Sequence, residues 1–290
     1  MANCKGSLKA PDFDLRTTLV SGQVFGWKES EGWYYGEVAG KPTRVRQDGD
    51  ALLFEGASKK EIEYYFALDE NTTAISKRIS RNDPMLSKAV KEFRGLRLLR
   101  QDPWICTVSF VCSAVSNIPR IEKELHNLRT KYGRTAELHG NVIHLFPSPQ
   151  AVGAAPISEL RACGLGFRDK YVKGLGKRME RFDVSKLKKE NYEDAKAALM
   201  ESAGIGEKVA DCICLFSLDK HEAFPIDVWI ARVMAKLYGK EIRNMFSDTK
   251  FSYRDVQRFA RAKWDKDAGY AQAFLYMYAR KHKLGAERKE

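Results

Sequence analysis

Hydrophobic and polar residues alternate in several short runs among the first hundred residues, and a period of two indicates half-buried strands. The runs lie at residues 33–38, 43–46 and 51–54. Glycine and proline at 39–42 and 48–49 are typical of the turns between such strands. We therefore predict a small antiparallel sheet, with helices beside it at 61–68 and 84–93.

From about Asp102 onward the pattern changes to a helical one. In the segment 117–132, apolar residues recur every three or four positions, which is the period of an amphipathic helix. A proline-rich loop is expected at 147–156. Asp227 is well placed to begin a helix that Gly239 would end. The helices predicted in this part lie at 157–163, 192–202, 207–217, 228–238, 253–263 and 268–283.

These patterns predict an α+β protein. Residues 1–100 would form an N-terminal antiparallel β-subdomain with helices, and residues 101–290 a mostly α-helical domain. Two of its helices are joined by a glycine hairpin, which places a helix-hairpin-helix motif at about 191–217. There is no internal repeat and no low-complexity linker, so we expect the two parts to pack as one unit and the protein to be a monomer.

Composition narrows the class of partner. The chain of 290 residues has a formal net charge of +12 and a pI of about 9.3, which favours a polyanion, nucleic acid first. No apolar run is long enough to span a membrane and no signal peptide is present, so we expect a cytoplasmic protein with no membrane partner. The six cysteines form no C-x-x-C pair, and no metal site is expected.

One segment carries more candidate chemistry than the rest. It reads Ser202-Ala-Gly-Ile-Gly-Glu-Lys-Val-Ala-Asp211 and is followed by Pro225-Ile-Asp-Val228. Gly204 and Gly206 predict a tight hairpin that opens a helix, where backbone N–H groups bind phosphate. Lys208 beside that phosphate is placed for nucleophilic attack on a sugar. Asp227 can stabilise a developing cation or move a proton.

This pattern resembles the helix-hairpin-helix, Gly-Pro-Asp superfamily of DNA glycosylases, and within it the 8-oxoguanine DNA glycosylase/AP lyase family, as a bacterial, nucleoid-associated member. Three more motifs support the resemblance, in order along the chain: Leu19-Val-Ser-Gly-Gln-Val-Phe-Gly-Trp27, Gly164-Leu-Gly-Phe-Arg-Asp-Lys-Tyr171 and Gly269-Tyr-Ala-Gln-Ala273. Iron–sulfur relatives carry a four-cysteine cluster after the catalytic helices, but no cysteine follows Cys214 here. The resemblance therefore implies chemistry without a cofactor.

The resemblance implies a bifunctional enzyme of base excision repair, whose partner is double-stranded DNA containing 8-oxoguanine. Lys208 would attack the anomeric carbon of a flipped nucleotide, expel the base and leave a Schiff base. Elimination from that imine would then nick the strand. Asp227 would stabilise the oxocarbenium-like transition state while it caps a helix. For Lys208, the competing interpretation is a surface lysine that only contacts phosphate.

The same resemblance implies a pocket for the flipped base. Guanine N7 accepts a hydrogen bond, but in 8-oxoguanine N7 carries a hydrogen, so the carbonyl of Gly22 would accept from the lesion alone. Cys212 and Tyr276 would lie against the two faces of the base, and Gln272 would bond its Watson–Crick edge. Gly22 as a plain turn glycine, and Cys212 and Tyr276 as core residues, remain competing interpretations.

Contacts to the rest of the duplex are also implied. In the family an aromatic residue wedges beside the extruded base, which here matches Phe167 in a glycine-flanked loop. Arg168 and Arg120 match two arginines that face the orphaned partner base. A surface loop without a ligand is the alternative for Phe167 and Arg168.

The chain departs from the family at two positions. An asparagine expected to bond the partner base falls on Val115, or at best on its neighbours Ser116 and Asn117. Because valine cannot donate a hydrogen bond, we predict a relaxed preference for the base opposite the lesion. Trp229 stands where some relatives have a phosphate-binding histidine.

Two alternatives stay open at the level of the sequence. One is a glycosylase of the same fold for another oxidised or alkylated base, and the other is a non-catalytic helix-hairpin-helix module that only binds DNA backbone. A cation at the hairpin carbonyls between Ser202 and Ile205 is a separate option for the glycosylase.

Overall fold

An antiparallel sheet of five strands forms the N-terminal layer of the computed structural model, which describes residues 4–246 and 251–284. The strands are β1 (Cys4–Lys9), β2 (Lys28–Ser30), β3 (Trp33–Val38), β4 (Lys41–Asp48) and β5 (Ala51–Gly56). Their order across the sheet is β1-β5-β4-β3-β2. The predicted strands are confirmed, whereas the edge strands β1 and β2 were missed because most of their residues are polar or exposed.

One face of this sheet is apolar because alternate residues of a strand point to the same side. Val45 of β4 pairs with Phe54 of β5, and both are buried with Leu52. Helix α2 (Lys59–Tyr65) closes this core with Ile62.

A mostly helical part follows the sheet, so the predicted α+β class is confirmed. The other helices of the described residues are α1 (Leu15–Leu19), α3 (Thr72–Ile79), α4 (Pro84–Glu92), α5 (Pro103–Cys112), α6 (Ile118–Tyr132), α7 (Pro149–Ala154), α8 (Ile157–Leu160), α9 (Asp169–Met179), α10 (Tyr192–Met200), α11 (Glu207–Ser217), α12 (Val228–Phe246), α13 (Tyr253–Trp264) and α14 (Ala268–Lys281). The predicted helix-hairpin-helix is confirmed as α10, a short turn and α11. Asn191 caps α10 by accepting from the N–H of Asp194.

A β-hairpin lies in the part that was expected to be helical. Strands β6 (Thr135–Leu138) and β7 (Asn141–His144) are joined by His139 and Gly140, with φ of +50° and +74°. Two consecutive positive φ values give the tight turn that suits the twist of a hairpin. The two strands are too short for their alternation to stand out in the sequence, and their stability comes from packing against Tyr35 of the first sheet.

One predicted helix end and one predicted loop were also wrong. Gly239 does not end α12, which continues to Phe246, because Ile242 one turn later is buried and keeps the apolar stripe against the core. The expected loop at 147–156 contains α7, since Pro149 takes the first helical position and Ser148 caps the helix.

The largest core joins elements from both predicted parts. Helices α3 and α4, which precede residue 100, pack on α14, and Ile79 and Leu86 share a core with Phe274. The division at residue 100 stays a prediction, but the apolar core crosses it. Among the residues that the structure describes, no helix is long and apolar enough to cross a membrane.

Candidate active site

A cavity of about 970 Å³ opens between the segment that follows α1 and helices α5, α11, α12 and α14. Six residues predicted from the sequence line it: Gly22, Lys208, Cys212, Asp227, Gln272 and Tyr276. The fold therefore assembles one site from positions far apart in the chain. The other five predicted residues lie outside the lining: Arg120, Phe167, Arg168, Gly204 and Gly206.

Lys208 lies half-buried in the first turn of α11. Its Nζ donates a hydrogen bond of 2.8 Å to Oγ of Ser113, the C-cap residue directly after α5. The same hydroxyl donates to the carbonyl of Phe110, so its one proton is already used and it can only accept from the lysine. The Phe110 ring lies 5.2 Å from Nζ. Ser113 thus sets the direction of the amine into the cavity, a role that the sequence did not reveal.

Cys212 follows Lys208 by one helical turn and is buried. Burial raises the pKa of the Cys212 thiol to about 12, although the Lys208 ammonium opposes that shift. The sulfur is therefore a neutral, polarisable group beside the amine. It offers an apolar surface to a flat ligand rather than a negative charge.

Asp227 caps α12, as predicted. Its Oδ1 accepts from the N–H of Ile230 at 2.8 Å. Burial raises the pKa of the Asp227 carboxyl, while the Ile230 N–H and the Lys208 ammonium act in the opposite direction. One carboxylate oxygen is thus fixed to the helix, and the Lys208 charge acts on the same group. The capping role therefore leaves Asp227 able to stabilise a cation in the cavity.

The glycine hairpin between α10 and α11 has a steric reason for the first of its two glycines. Gly204 has φ of +91°, and a Cβ there would lie 2.7 Å from Cβ of Tyr171. Gly206 precedes α11 and faces open space, since a Cβ on it would meet nothing within 4 Å. No side chain in the described part of the chain caps α11, so its first N–H groups face outward. The carbonyl of Ser202 already accepts from the N–H of Ile205.

Gly22 and Tyr276 form a second wall. Gly22 has φ of +86°, and a Cβ there would lie 3.1 Å from the Tyr276 ring and 3.3 Å from Nη1 of Arg280. The Arg280 guanidinium lies 5.4 Å from the centre of the Tyr276 ring. Burial raises the pKa of the Tyr276 hydroxyl to about 12, opposed by Arg280. Arg280 was missed in the sequence, although its spacing of four residues from Tyr276 on a helix was a usable signal.

Gln272 is buried on α14 and donates through Nε2 to the carbonyl of Pro225 at 3.0 Å. This bond fixes the amide group against the segment that carries Asp227. Its oxygen remains the acceptor with which Gln272 can meet a hydrogen-bond donor.

Phe167 lies apart from the cavity in an exposed loop, with 56% of its surface accessible. Gly164 and Gly166, which both precede it, have φ of +97° and +57°. An apolar ring held on such a turn is free to enter a groove or a stack of bases.

Arg168 was predicted to face the orphaned partner base, but in this structure its side chain does not reach the surface. Only 1% of it is accessible, and its guanidinium donates to Glu124 at 2.6 Å and to the carbonyls of Leu165 and Cys112. The reason is that the buried carboxylate of Glu124 needs a cation. Arg120 shares that carboxylate at 2.8 Å, but half of its side chain is exposed.

The two positions that depart from the family both line the cavity but differ in exposure. Val115 is 89% exposed with φ of +52°, a conformation that β-branched residues rarely adopt. The side chain of its neighbour Asn117 is engaged in capping α6 through the N–H of Arg120. Trp229 is half-buried and lines the cavity.

Comparisons with known proteins agree with this geometry. Residues 7–106 match the profile described as 8-oxoguanine DNA glycosylase, N-terminal domain. A probable N-glycosylase/DNA lyase of Methanothermobacter thermautotrophicus is 31% identical and covers 94% of this chain and 95% of its own length. An N-glycosylase/DNA lyase of Arabidopsis thaliana is 28% identical over 92% of this chain and 77% of its own length.

A solved structure extends the agreement to the whole fold. The Clostridium acetobutylicum 8-oxoguanine glycosylase/lyase, in complex with double-stranded DNA that has cytosine opposite 8-oxoguanine, is 30% identical to this chain. It superposes with a TM-score of 0.87 and covers 97% of this chain and 99% of its own.

Proposed function

The chain belongs to the 8-oxoguanine DNA glycosylase/lyase family, and we propose that Lys208 and Asp227 carry its chemistry. The enzyme removes 8-oxoguanine from double-stranded DNA and cleaves the strand at the abasic product. The observation that supports these two roles is that both side chains line one cavity together with Gly22 and Gln272.

The first step is removal of the base. Lys208, as the neutral amine, attacks C1′ of the extruded nucleotide, and the C1′–N9 bond breaks with its electron pair passing to the base, which takes up a proton. Positive charge develops on the sugar in the transition state, and the Asp227 carboxylate stabilises it. The Ser113 hydroxyl holds Nζ in the direction of attack.

The second step is strand cleavage. Loss of a proton from nitrogen and ring opening give a Schiff base between Nζ of Lys208 and C1′. That imine acidifies C2′, which loses a proton, and the C3′–O bond breaks with the phosphate as leaving group. Water then hydrolyses the imine and frees the lysine.

Recognition of the base uses the remaining walls of the cavity. The Gly22 carbonyl accepts from the N7 hydrogen of 8-oxoguanine and repels the N7 lone pair of guanine, which is worth on the order of a few kcal/mol. The oxygen of Gln272 accepts from the donors on the Watson–Crick edge. Cys212 and Tyr276 pack against the two faces of the ring.

Outside the cavity, the outward N–H groups around Gly204 and Gly206 bind the phosphate backbone. Phe167 enters the stack beside the vacated position, and the exposed guanidinium of Arg120 faces the partner base. A location in the cytoplasm with the nucleoid fits a chain with this substrate.

Trapping with borohydride tests the proposal, because it reduces the Schiff base to a stable covalent adduct. Duplexes carry 8-oxoguanine opposite each of the four bases, with guanine as the control. We expect an adduct with the lesion alone, lost in Lys208→Gln and retained in Lys60→Gln, which removes an equal charge from the exposed face of α2.

Other results would point elsewhere. Base release without an adduct would mean a glycosylase that does not use Lys208 as its nucleophile. Neither release nor adduct would return the alternatives to consideration: another oxidised or alkylated base, which a panel of lesions identifies, or a module that only binds DNA.

A further inference from the structure

A network of buried polar groups lies behind the cavity. Its centre is Asp211 of α11, which is fully buried. Oδ2 of Asp211 accepts from the Tyr253 hydroxyl and from Nε2 of Gln257, both at 2.6 Å. Tyr192 donates to the other oxygen, and Lys196 supplies the opposite charge at 3.2 Å. Four donors replace the water that the carboxylate loses on burial, so the group is held in one position.

Tyr253 also makes a second bond. Its hydroxyl oxygen accepts from the N–H of Ile226 at 3.2 Å. Ile226 directly precedes Asp227 and is buried, and its N–H is a donor that Pro225 before it lacks. One hydroxyl thus donates to α11 and accepts from the segment that carries Asp227.

Gln257 repeats this connection one turn further along α13. The Nε2 group that donates to Asp211 also approaches the carbonyl of Phe224 at 3.4 Å. Two side chains of α13 therefore join α11 to the segment 224–227.

The position of Asp211 gives this connection a chemical consequence. It follows Lys208 by three residues on α11, so the two side chains project from neighbouring positions of the same helix. Lys208 lines the cavity, whereas Asp211 is fully buried in the network. The bridge Asp211–Tyr253–Ile226 spans the helix of Lys208 and the residue next to Asp227.

We propose that Tyr253, held by Asp211, is a positioning residue that fixes Asp227 relative to Lys208. This inference rests on the proposed roles of those two residues. The Tyr253 ring also lines the cavity, so the substitution that tests it must keep the ring and remove only the hydroxyl. Misplacement by a fraction of an ångström slows a reaction that depends on aligned groups far more than it weakens binding.

The test compares two variants, Tyr253→Phe and Tyr192→Phe. Each removes one phenol hydroxyl that donates to Asp211. The Tyr192 hydroxyl, however, joins α11 to α10 and, among the described residues, makes no hydrogen bond to the segment 224–227. Three quantities are measured: the single-turnover rate of 8-oxoguanine release at saturating enzyme, the Kd for the lesion duplex, and the melting temperature.

We expect Tyr253→Phe to lower the rate of base release at least 10-fold while the Kd changes less than 3-fold. Tyr192→Phe should leave the rate within 3-fold of the wild type at a similar loss of melting temperature. Should Tyr253→Phe not fold, Gln257→Met, which breaks the second connection, is measured in its place with the same expectation.

Equal rates in the two tyrosine variants would overturn the inference, as would a loss in Tyr253→Phe that appears only in Kd. Failure of the proposed function is distinguishable from this outcome. It would appear as absence of base release by the wild type, or as borohydride trapping that persists in Lys208→Gln.

Discussion

Gly22 and Tyr276 lie so close together that a β-carbon on Gly22 would sit 3.1 Å from the tyrosine ring, at a backbone φ of +86°. No other residue type fits this position without strain, and the carbonyl that we propose meets the lesion belongs to it. The shape of the base pocket thus depends on a missing side chain.

Gly22→Ala should therefore impair recognition of the base more than strand cleavage. The added methyl group meets Tyr276 and moves the carbonyl, so we expect base excision to fall roughly 10–100-fold. Nicking of a duplex with a preformed abasic site should stay within about 3-fold, since no base has to be held.

Gly32→Ala is the matched control, because Gly32 has φ of +76° with nothing within 4 Å of its added Cβ. Both variants should lose about 1–2 kcal/mol of stability from the left-handed backbone. An equal loss of excision in the control would contradict the proposed contact.

Asp227→Asn should abolish base release and raise stability near neutral pH. Because the pKa of Asp227 is raised on folding, the folded protein binds the proton more tightly than the unfolded chain. Stability therefore falls as the pH rises through the window between the ordinary and the raised pKa, and it stays lower above that window. Asparagine removes this cost and still caps the helix.

Melting temperature against pH measures the effect, with Asp102→Asn as a control that changes an exposed cap of α5. The melting temperature of Asp227→Asn should exceed that of the wild type near neutral pH, and this difference should become smaller on acidification. In the wild type, the acid limb of base release should lie above the usual range of an aspartate, as the essential carboxylate becomes protonated. A difference in melting temperature that grows in acid would show that the pKa of Asp227 is not raised on folding.

Val115→Asn should restore a preference for one partner base. Asparagine tolerates the φ of +52° better than valine, so we expect about 1 kcal/mol of added stability. It also adds a donor and an acceptor at a position that is 89% exposed. Excision opposite each of the four bases is the measurement.

Val115→Gly separates the two effects, because it relieves the backbone without adding an amide. It should gain stability while leaving the relaxed preference unchanged. A narrowed preference in both variants would mean that the backbone, and not the amide, sets selectivity.

Glu124→Gln should destabilise the protein strongly, by roughly 3 kcal/mol, because it leaves the buried guanidinium of Arg168 without its counter-ion. Glu193→Gln breaks the more exposed pair with Arg261 and should cost less than about 1 kcal/mol. Chemical denaturation measures both. Similar losses in the two variants would show that the burial of Arg168 is not maintained by Glu124.

Local features of the sequence were sufficient for much of the site. The bounds of α11 follow from Gly206 and the apolar period after it, and the cap at Asp227 follows from its neighbours. Lys208 and Asp227 were predicted to meet from the family resemblance, and the fold brings them to one cavity.

What the sequence did not reveal depends on contacts between distant residues. The direction of Arg168 is set by Glu124 on another helix, and the acceptor of Lys208 is a serine 95 positions away. Gly239 remains helical only because α12 continues to pack on the core. Burial decides each of these cases, and burial follows from the tertiary structure.

The buried thiol of Cys212 has a consequence for the conditions in which the enzyme works. Because burial raises the pKa of this thiol to about 12, the thiol stays protonated at neutral pH, and it is the thiolate that peroxides oxidise. The sulfur one turn from Lys208 is therefore expected to resist the oxidants that generate 8-oxoguanine. We therefore expect base release to withstand peroxide, the condition in which 8-oxoguanine accumulates.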